Sequence, residues 1–289
     1  MVFHPPVAIV AKAGDAGKYK TSLPAWNMIL RGFMSGAYIA MGAGLATVCF
    51  TGAAPLLGAG MAKLILGSVF PVGLIITVLT GAELFTGDAM LAPMAAFIHK
   101  ISWASVINLW IWVYIGNLIG SVVYAYIMAM GPLTSWSAAG VGAANAFGVS
   151  AVSIAVGKVG YVGGAAMWSL FLKAIGCNWL VNLAILLGIC ADDAVGKFFG
   201  IWFPIMAFVS TGFEHCVANM YFIPAGILTA PYLTAEQAAT FGDKLLTLNW
   251  VTMWTNNIIL VTIGNIVGGM LFVGVIYWFA FQKEIAALK

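Results

Sequence analysis

From residue 27 onward the chain alternates long apolar runs with short polar breaks. Crossing a membrane takes roughly 20 apolar residues at about 1.5 Å rise each. Runs at least that long fall near residues 27–50, 64–97, 103–130, 165–190, 198–227 and 250–281. The connections are Thr51–Lys63, Ile98–Ser102, Gly131–Gly164, Ala191–Lys197 and Leu228–Asn249. The pattern predicts an all-α polytopic membrane protein with six transmembrane helices. A single domain covers 27–282, flanked by an N-terminal segment 1–26 and a C-terminal tail 283–289.

The second and fifth runs are too long for one straight helix, and each is interrupted midway. The interruptions read Thr80-Gly81-Ala82-Glu83-Leu84-Phe85-Thr86-Gly87-Asp88 and Ser210-Thr211-Gly212-Phe213-Glu214-His215-Cys216. An Asp-like charge at a helix centre costs about 2.5–3.5 kcal/mol to insert. Unwound backbone at that depth persists only when it is buried in protein or lines a cavity. Both runs are therefore expected to be broken helices around a pathway. An internal repeat agrees: Thr80-Gly81-x-Glu83 matches Thr211-Gly212-x-Glu214 at an offset of 131. Ile115-Gly116-Asn117-Leu118-Ile119-Gly120 matches Ile263-Gly264-Asn265-Ile266-Val267-Gly268 at 148, and Leu30-Arg31-Gly32 resembles Leu172-Lys173-Ala174 at 142. With three spans per half (about 27–130 and 165–281) the second half must run in the opposite sense, an inverted 3+3 repeat whose broken helices meet near the midplane.

Composition narrows the class. Of 289 residues, 63% are hydrophobic and 7% charged, against about 25% charged in ordinary globular chains. No Asp, Glu, Lys or Arg occurs in the 57 residues from Ile101 to Gly157, which excludes a soluble enzyme and makes the lipid bilayer the solvent. A dispersed net charge of +3 offers no basic patch for nucleic acid. Lys12, Lys18, Lys20, Lys100, Lys197, Lys283 and Lys289 lie on the side of the termini, and Lys63, Lys158 and Lys244 on the other. That bias predicts cytoplasmic termini. Cys49, Cys177, Cys190 and Cys216 lie in apolar runs without metal or disulfide spacing, and read as small buried hydrophobes. The start of the chain does not read as a signal peptide: its apolar stretch Val7–Ala11 is short and no Lys or Arg precedes it.

His215 is the one histidine inside a span, next to Glu214 at a break. A buried imbedded imidazole balanced between burial and an arriving anion can give or take a proton. Glu83 and Glu214 occupy matching positions and are expected to be structural, accepting hydrogen bonds from backbone N–H groups freed by the breaks. Asn178 and Asn265 sit in apolar helices and could bridge broken backbone or the histidine; Asn117, the repeat mate of Asn265, makes a shared scaffold role equally open. Phe70, Leu74, Leu84 and Phe208 lie within a few turns of the breaks, placed to be core or to form constrictions. Lys158 ends the uncharged run, while Lys173 and Arg31 lie inside spans. Such residues either snorkel or make a basic vestibule that concentrates anions.

With these residues assembled, the chain resembles the formate/nitrite transporter family. The resemblance is carried by Gly81-Ala82-Glu83-Leu84-Phe85-Thr86-Gly87, Cys177-Asn178-Trp179-Leu180-Val181, Gly212-Phe213-Glu214-His215-Cys216-Val217-Ala218-Asn219-Met220 and Ile263-Gly264-Asn265. It covers nearly the whole chain and is nearest the formate channels. It implies an aquaporin-like fold with six helices per protomer, a pore within each protomer, and a homopentamer; the protein is expected in the cell membrane, and no cofactor is expected. It further implies an Ω-loop around Leu84 to Thr86, apolar constrictions from Leu84, Phe70, Leu74 and Phe208, and a central histidine, His215, with Thr86 and Asn265 as polar neighbours. Lys173 resembles a basic position common in the fourth span. Where the family carries a vestibule lysine this chain has Val162, with Lys158 four residues earlier. Either the loop carries an insertion and Lys158 takes the role, or the role is weakened.

The expected mechanism follows. A monovalent anion such as formate is drawn into a basic vestibule, and a proton from His215 or water, aided by the local positive field, lets the neutral acid cross an apolar constriction. Rival substrates on the same scaffold are nitrite, hydrosulfide, acetate and lactate. A neutral-solute channel for water, glycerol or ammonia is a different class, but neither break contains an Asn-Pro-Ala motif. A membrane-embedded enzyme would need a catalytic or redox set that one in-span histidine does not supply.

Overall fold

The computed structural model describes residues 3–287, so Lys289, one of the lysines expected beside the termini, lies outside them. Among the described residues, six helical spans are long and apolar enough to cross a membrane. Helix α1 (Pro6–Thr21) precedes the first span, α2 (Ala25–Phe50). The second span is α3 (Ala53–Val69) with α4 (Val72–Thr80), then a break and α5 (Phe85–Phe97); the third is α6 (Trp103–Met130). After a hairpin of β1 (Thr134–Trp136) and β2 (Gly142–Ala144), α7 (Ala146–Val159) leads into α8 (Gly164–Cys190). The fifth span is α9 (Ala194–Thr211), a break and α10 (Cys216–Thr229). The short α11 (Ala235–Ala239) precedes the last helix, α12 (Trp250–Ala287), which carries π-helical stretches at Trp254–Ile258 and Val267–Val275.

Three expected boundaries move. The connection Thr51–Lys63 is mostly helical: α3 begins at Ala53 and kinks at Gly58, whose φ of 81° only glycine adopts freely. The connection Gly131–Gly164 holds the hairpin and α7, whose 14 residues are too few to cross a membrane. Asn145 caps α7 by accepting from the amides of Phe147 and Gly148, and Ala151, Val152, Ala155 and Val159 enter the core. At the C-terminus α12 runs past residue 283 without a break, since leaving the membrane does not end a helix.

Each half is thus longer than three spans: α1 leads the first and α7 the second. Helix α1 lies against α5, and a Cβ on Gly17 would sit 2.0 Å from the Leu91 carbonyl oxygen, so only glycine permits the approach. Its start is tied to the α8–α9 connection: the His4 amide donates to Cys190 O at 3.0 Å and the His4 ring meets Asp192 at 2.7 Å. That hydrogen bond, with the charges of His4, Lys12 and Lys197, holds the Asp192 carboxyl below its ordinary range.

The breaks are near copies. Gly81 and Gly212 end α4 and α9 with φ of 73° and 77°, a left-handed stop that favours glycine. The chain then extends through Leu84 (φ −116°, ψ 119°) and His215 (φ −111°, ψ 117°), which cap α5 and α10. The Ω-loop expected at Leu84–Thr86 therefore lies a little earlier, with Phe85 and Thr86 already in the first turn of α5. Asn117 accepts from the Phe85 amide at 2.9 Å and donates to Gly32 O and Glu83 O at 2.8 and 2.9 Å. Asn265 accepts from the Cys216 amide at 2.9 Å and donates to Ala174 O and Glu214 O at 2.8 and 2.9 Å. Both asparagines reach the breaks because glycines let the helices touch: a Cβ on Gly36 would lie 2.1 Å from Asn117 O, and one on Gly268 2.4 Å from Ile175 O.

Asn117→Ala and Asn265→Ala should each strand one buried amide and two carbonyls, at about 1–3 kcal/mol per unsatisfied group. Thermal unfolding in detergent should show a lower midpoint for each variant. An unchanged midpoint in both would mean that water or a shifted backbone serves the breaks instead.

Candidate functional site

His215 caps α10 with its own ring. Nδ1 accepts from the Ala218 amide at 3.0 Å, so in the neutral imidazole the proton sits on Nε2, which is 2.8 Å from Thr86 Oγ1. Nε2–H donates to the threonine and leaves the Thr86 hydroxyl proton for another acceptor. Thr86 is fixed in turn, since its carbonyl accepts from Asn178 Nδ2 at 3.0 Å and Asn182 Nδ2 at 3.1 Å. Asn178 also donates to Asn265 O at 2.6 Å. Asn265 therefore serves the backbone beside the histidine and makes no bond to its ring.

Beside the His215 ring lies a chamber of about 10 Å³, bounded by Phe70, Leu74, Leu84, Phe208 and His215, with Ile39, Val181 and Ile205 closing its walls. The Phe70 and Phe208 rings meet edge to face at 5.8 Å, and Phe208 lies 5.9 Å from the His215 ring. Leu74 and Leu84 also bound a cavity of about 220 Å³ on the side of the termini. Phe70, Phe208 and His215 also bound one of about 120 Å³ on the opposite side. The chamber thus shares Leu74 and Leu84 with the terminal-side cavity, and Phe70, Phe208 and His215 with the opposite one.

The vestibules repeat each other's chemistry. On the distal side Lys158 Nζ donates to Glu214 Oε2 at 2.7 Å, Tyr161 OH donates to Glu214 Oε1 at 3.3 Å, and Lys173 Nζ donates to Tyr161 OH at 3.0 Å. On the terminal side Lys20 donates to Glu83, Arg31 Nη1 lies 3.7 Å from Glu83 Oε1, and Arg31 Nη2 donates to Tyr19 OH at 3.2 Å. Arg31 lies 5.8 Å over the Tyr19 ring and Lys173 5.1 Å over that of Tyr161. Burial works against the charge of Lys20, yet Asp88 and Glu83 hold its ammonium above its ordinary range.

The carboxylates therefore do a different job from the one expected. With Asn117 and Asn265 serving the break amides, Glu83 and Glu214 take lysines from α1 and α7. Lys158 reaches the vestibule from α7, whereas Val162 is 72% exposed. Lys20, Tyr19, Tyr161, Asp88, Asn182 and Asn219 were not singled out in the sequence. A signal for them was present: Tyr19 and Tyr161 share the offset of 142 with Arg31 and Lys173, and Asp88 and Asn219 the offset of 131 with Glu83 and Glu214.

Comparison with known proteins agrees with this architecture. The formate/nitrite transporter family model matches residues 7–279. A probable formate transporter of Methanothermobacter thermautotrophicus is 42% identical, over 96% of this chain and 97% of that one. A formate channel of Bacillus thuringiensis is 37% identical over the full length of both. Among solved structures, a pentameric formate channel with formate bound superposes with a TM-score of 0.74 at 33% identity, covering 90% of this chain and 98% of that one. The chain is a multi-pass membrane protein and belongs to the formate/nitrite transporter family.

Proposed function

We propose that this protein passes formate through each protomer of a homopentamer in the cell membrane, with both termini in the cytoplasm. The observation that carries the reading is the succession of two lysine-bearing vestibules joined through two apolar pairs and a chamber lined by His215, whose ring meets Thr86. The pentamer and formate follow from the pentameric, formate-bound relative. The orientation follows from the lysine bias, six against three among the described residues.

Lysines in a low-dielectric mouth raise the local concentration of anions, but an ion cannot cheaply leave water for a gap between Leu74 and Leu84 or Phe70 and Phe208. Desolvation raises the pKa of a carboxylate. For an acid of pKa about 3.7, protonation at pH 7 costs roughly 4.5 kcal/mol, less than carrying the bare charge through. The positive field works the other way from the sequence-based expectation: it favours the anion, so the proton is taken up only beyond the lysines. Water is the proton source in this reading. A second proton on His215 would displace the Ala218 amide from Nδ1 and uncap α10. His215 instead fixes Thr86 as a hydroxyl donor to the passing carboxyl group.

Uptake into proteoliposomes tests the role of the histidine. His215→Asn keeps a capping acceptor but loses the ring, and His215→Phe loses both. Each should lower formate uptake about tenfold, the equivalent of one hydrogen bond of about 1.4 kcal/mol, and alter its pH dependence. Full flux with an unchanged pH profile in both would overturn the mechanism.

Substrate choice is tested by competition. Formate, nitrite and hydrosulfide are offered across a pH series to wild-type proteoliposomes. Formate should be taken up fastest and should rise as pH falls. Faster nitrite or hydrosulfide entry at every pH would reassign the substrate while leaving the channel reading intact.

A further inference from the structure

The two mouths carry the same types of charged and phenolic side chain except at one place. Lys20 pairs with Lys158 in role, Glu83 with Glu214, Tyr19 with Tyr161 and Arg31 with Lys173. The position that holds Asn219 in the second half holds Asp88 in the first. We propose that Asp88 polarises the pathway, making the terminal-side vestibule the weaker of the two binding sites for formate. The inference rests on the channel reading above.

Three observations carry it. The first is the local charge. Lys20, Arg31, Glu83 and Asp88 are formally neutral together, whereas Lys158, Lys173 and Glu214 keep one positive charge. Lys197 lines the first cavity and Lys63 the second, so including them leaves the difference at one unit.

The second is how the lysines are engaged. Lys20 is shared by two carboxylates, donating to Glu83 and lying 3.0 Å from Asp88 Oδ1. Both acids are buried, with Glu83 2% and Asp88 0% exposed, and among the described residues no partner other than Lys20 reaches the Asp88 carboxylate. On the other side Lys158 meets one carboxylate, and Asn219 adds a donor to it: Asn219 Nδ2 lies 2.7 Å from Glu214 Oε2. Where one half gains a second negative charge, the other screens its first.

The third is the helix end. Helices α5 and α10 both begin beside the chamber, and a helix N-terminus carries about half a positive charge. Asp88 lies in the first turn of α5 and offsets that end, while the first turn of α10 contains no acid. An anion thus meets a compensated dipole from one side and an uncompensated one from the other. Asp88 lines the terminal-side cavity, close enough to act on whatever enters it.

The test uses full-length protein in proteoliposomes sorted by orientation, with formate supplied at one face at a time. In the wild type the half-saturating formate concentration should be higher at the terminal face. Asp88→Asn should lower it there about three- to tenfold, as expected for removing a unit charge several ångströms away in a partly screened mouth, and leave the distal face unchanged. The mirror substitution, Asn219→Asp, should raise half-saturation at the distal face. It carries the test alone if Asp88→Asn does not assemble. Equal values at both wild-type faces, or substitutions that move both faces together or neither, would overturn the role of Asp88. A wild type that takes up no formate at either face would instead overturn the channel reading itself.

Discussion

Two helices stop halfway through an apolar slab, and the backbone groups they expose have no water to bond. The cost of leaving such groups unpaired in lipid is what confines broken helices to protein interiors. Here two asparagines meet it, each with one acceptance and two donations, from the third and sixth spans. The rest of the architecture follows. Asn117 and Asn265 can reach only if their helices lie in close contact, which selects Gly32 and Gly36 opposite Gly116 and Gly120 in one half. In the other half, Gly264 and Gly268 press on α8. Because backbone is served by these amides, the neighbouring carboxylates are released to face the mouths and pair with lysines.

The same economy appears at His215. Its ring closes the first turn of α10 through one nitrogen and orients Thr86 through the other. A single side chain therefore sets the local fold, fixes its own tautomer and presents a polar group between two aromatic and two aliphatic walls. In the first half the corresponding position is Leu84, which caps α5 with backbone geometry alone. The inverted repeat is thus symmetric in backbone and asymmetric in chemistry at the point where the two halves meet.

Much of this was legible in the sequence. Runs of apolar residues located the spans, with α6 and α8 within a residue or so, because hydrophobic length is a direct consequence of membrane thickness. Glycine beside glutamate inside an apolar run located both breaks, and the paired offsets revealed the inversion. Less legible were features that depend on contacts between distant segments. Lys20 looked like a charge that sets topology, yet it reaches Glu83 63 positions away. Helix α7 was hidden because an apolar helix too short to cross a membrane resembles a connection. The partners of Glu83 and Glu214 could not be told from spacing, since an acid at a break suits backbone amides and lysines equally well.

The size of the central chamber has a consequence for the membrane as a whole. At about 10 Å³ it holds about one water molecule, and apolar side chains close it on both sides. A continuous file of hydrogen-bonded water cannot run from one face to the other through a space so small. Protons that hop along such files would find the route interrupted. On the function proposed above, this pathway leaves the transmembrane proton gradient uncoupled from any water file, and a proton crosses only with the carboxylate it neutralises.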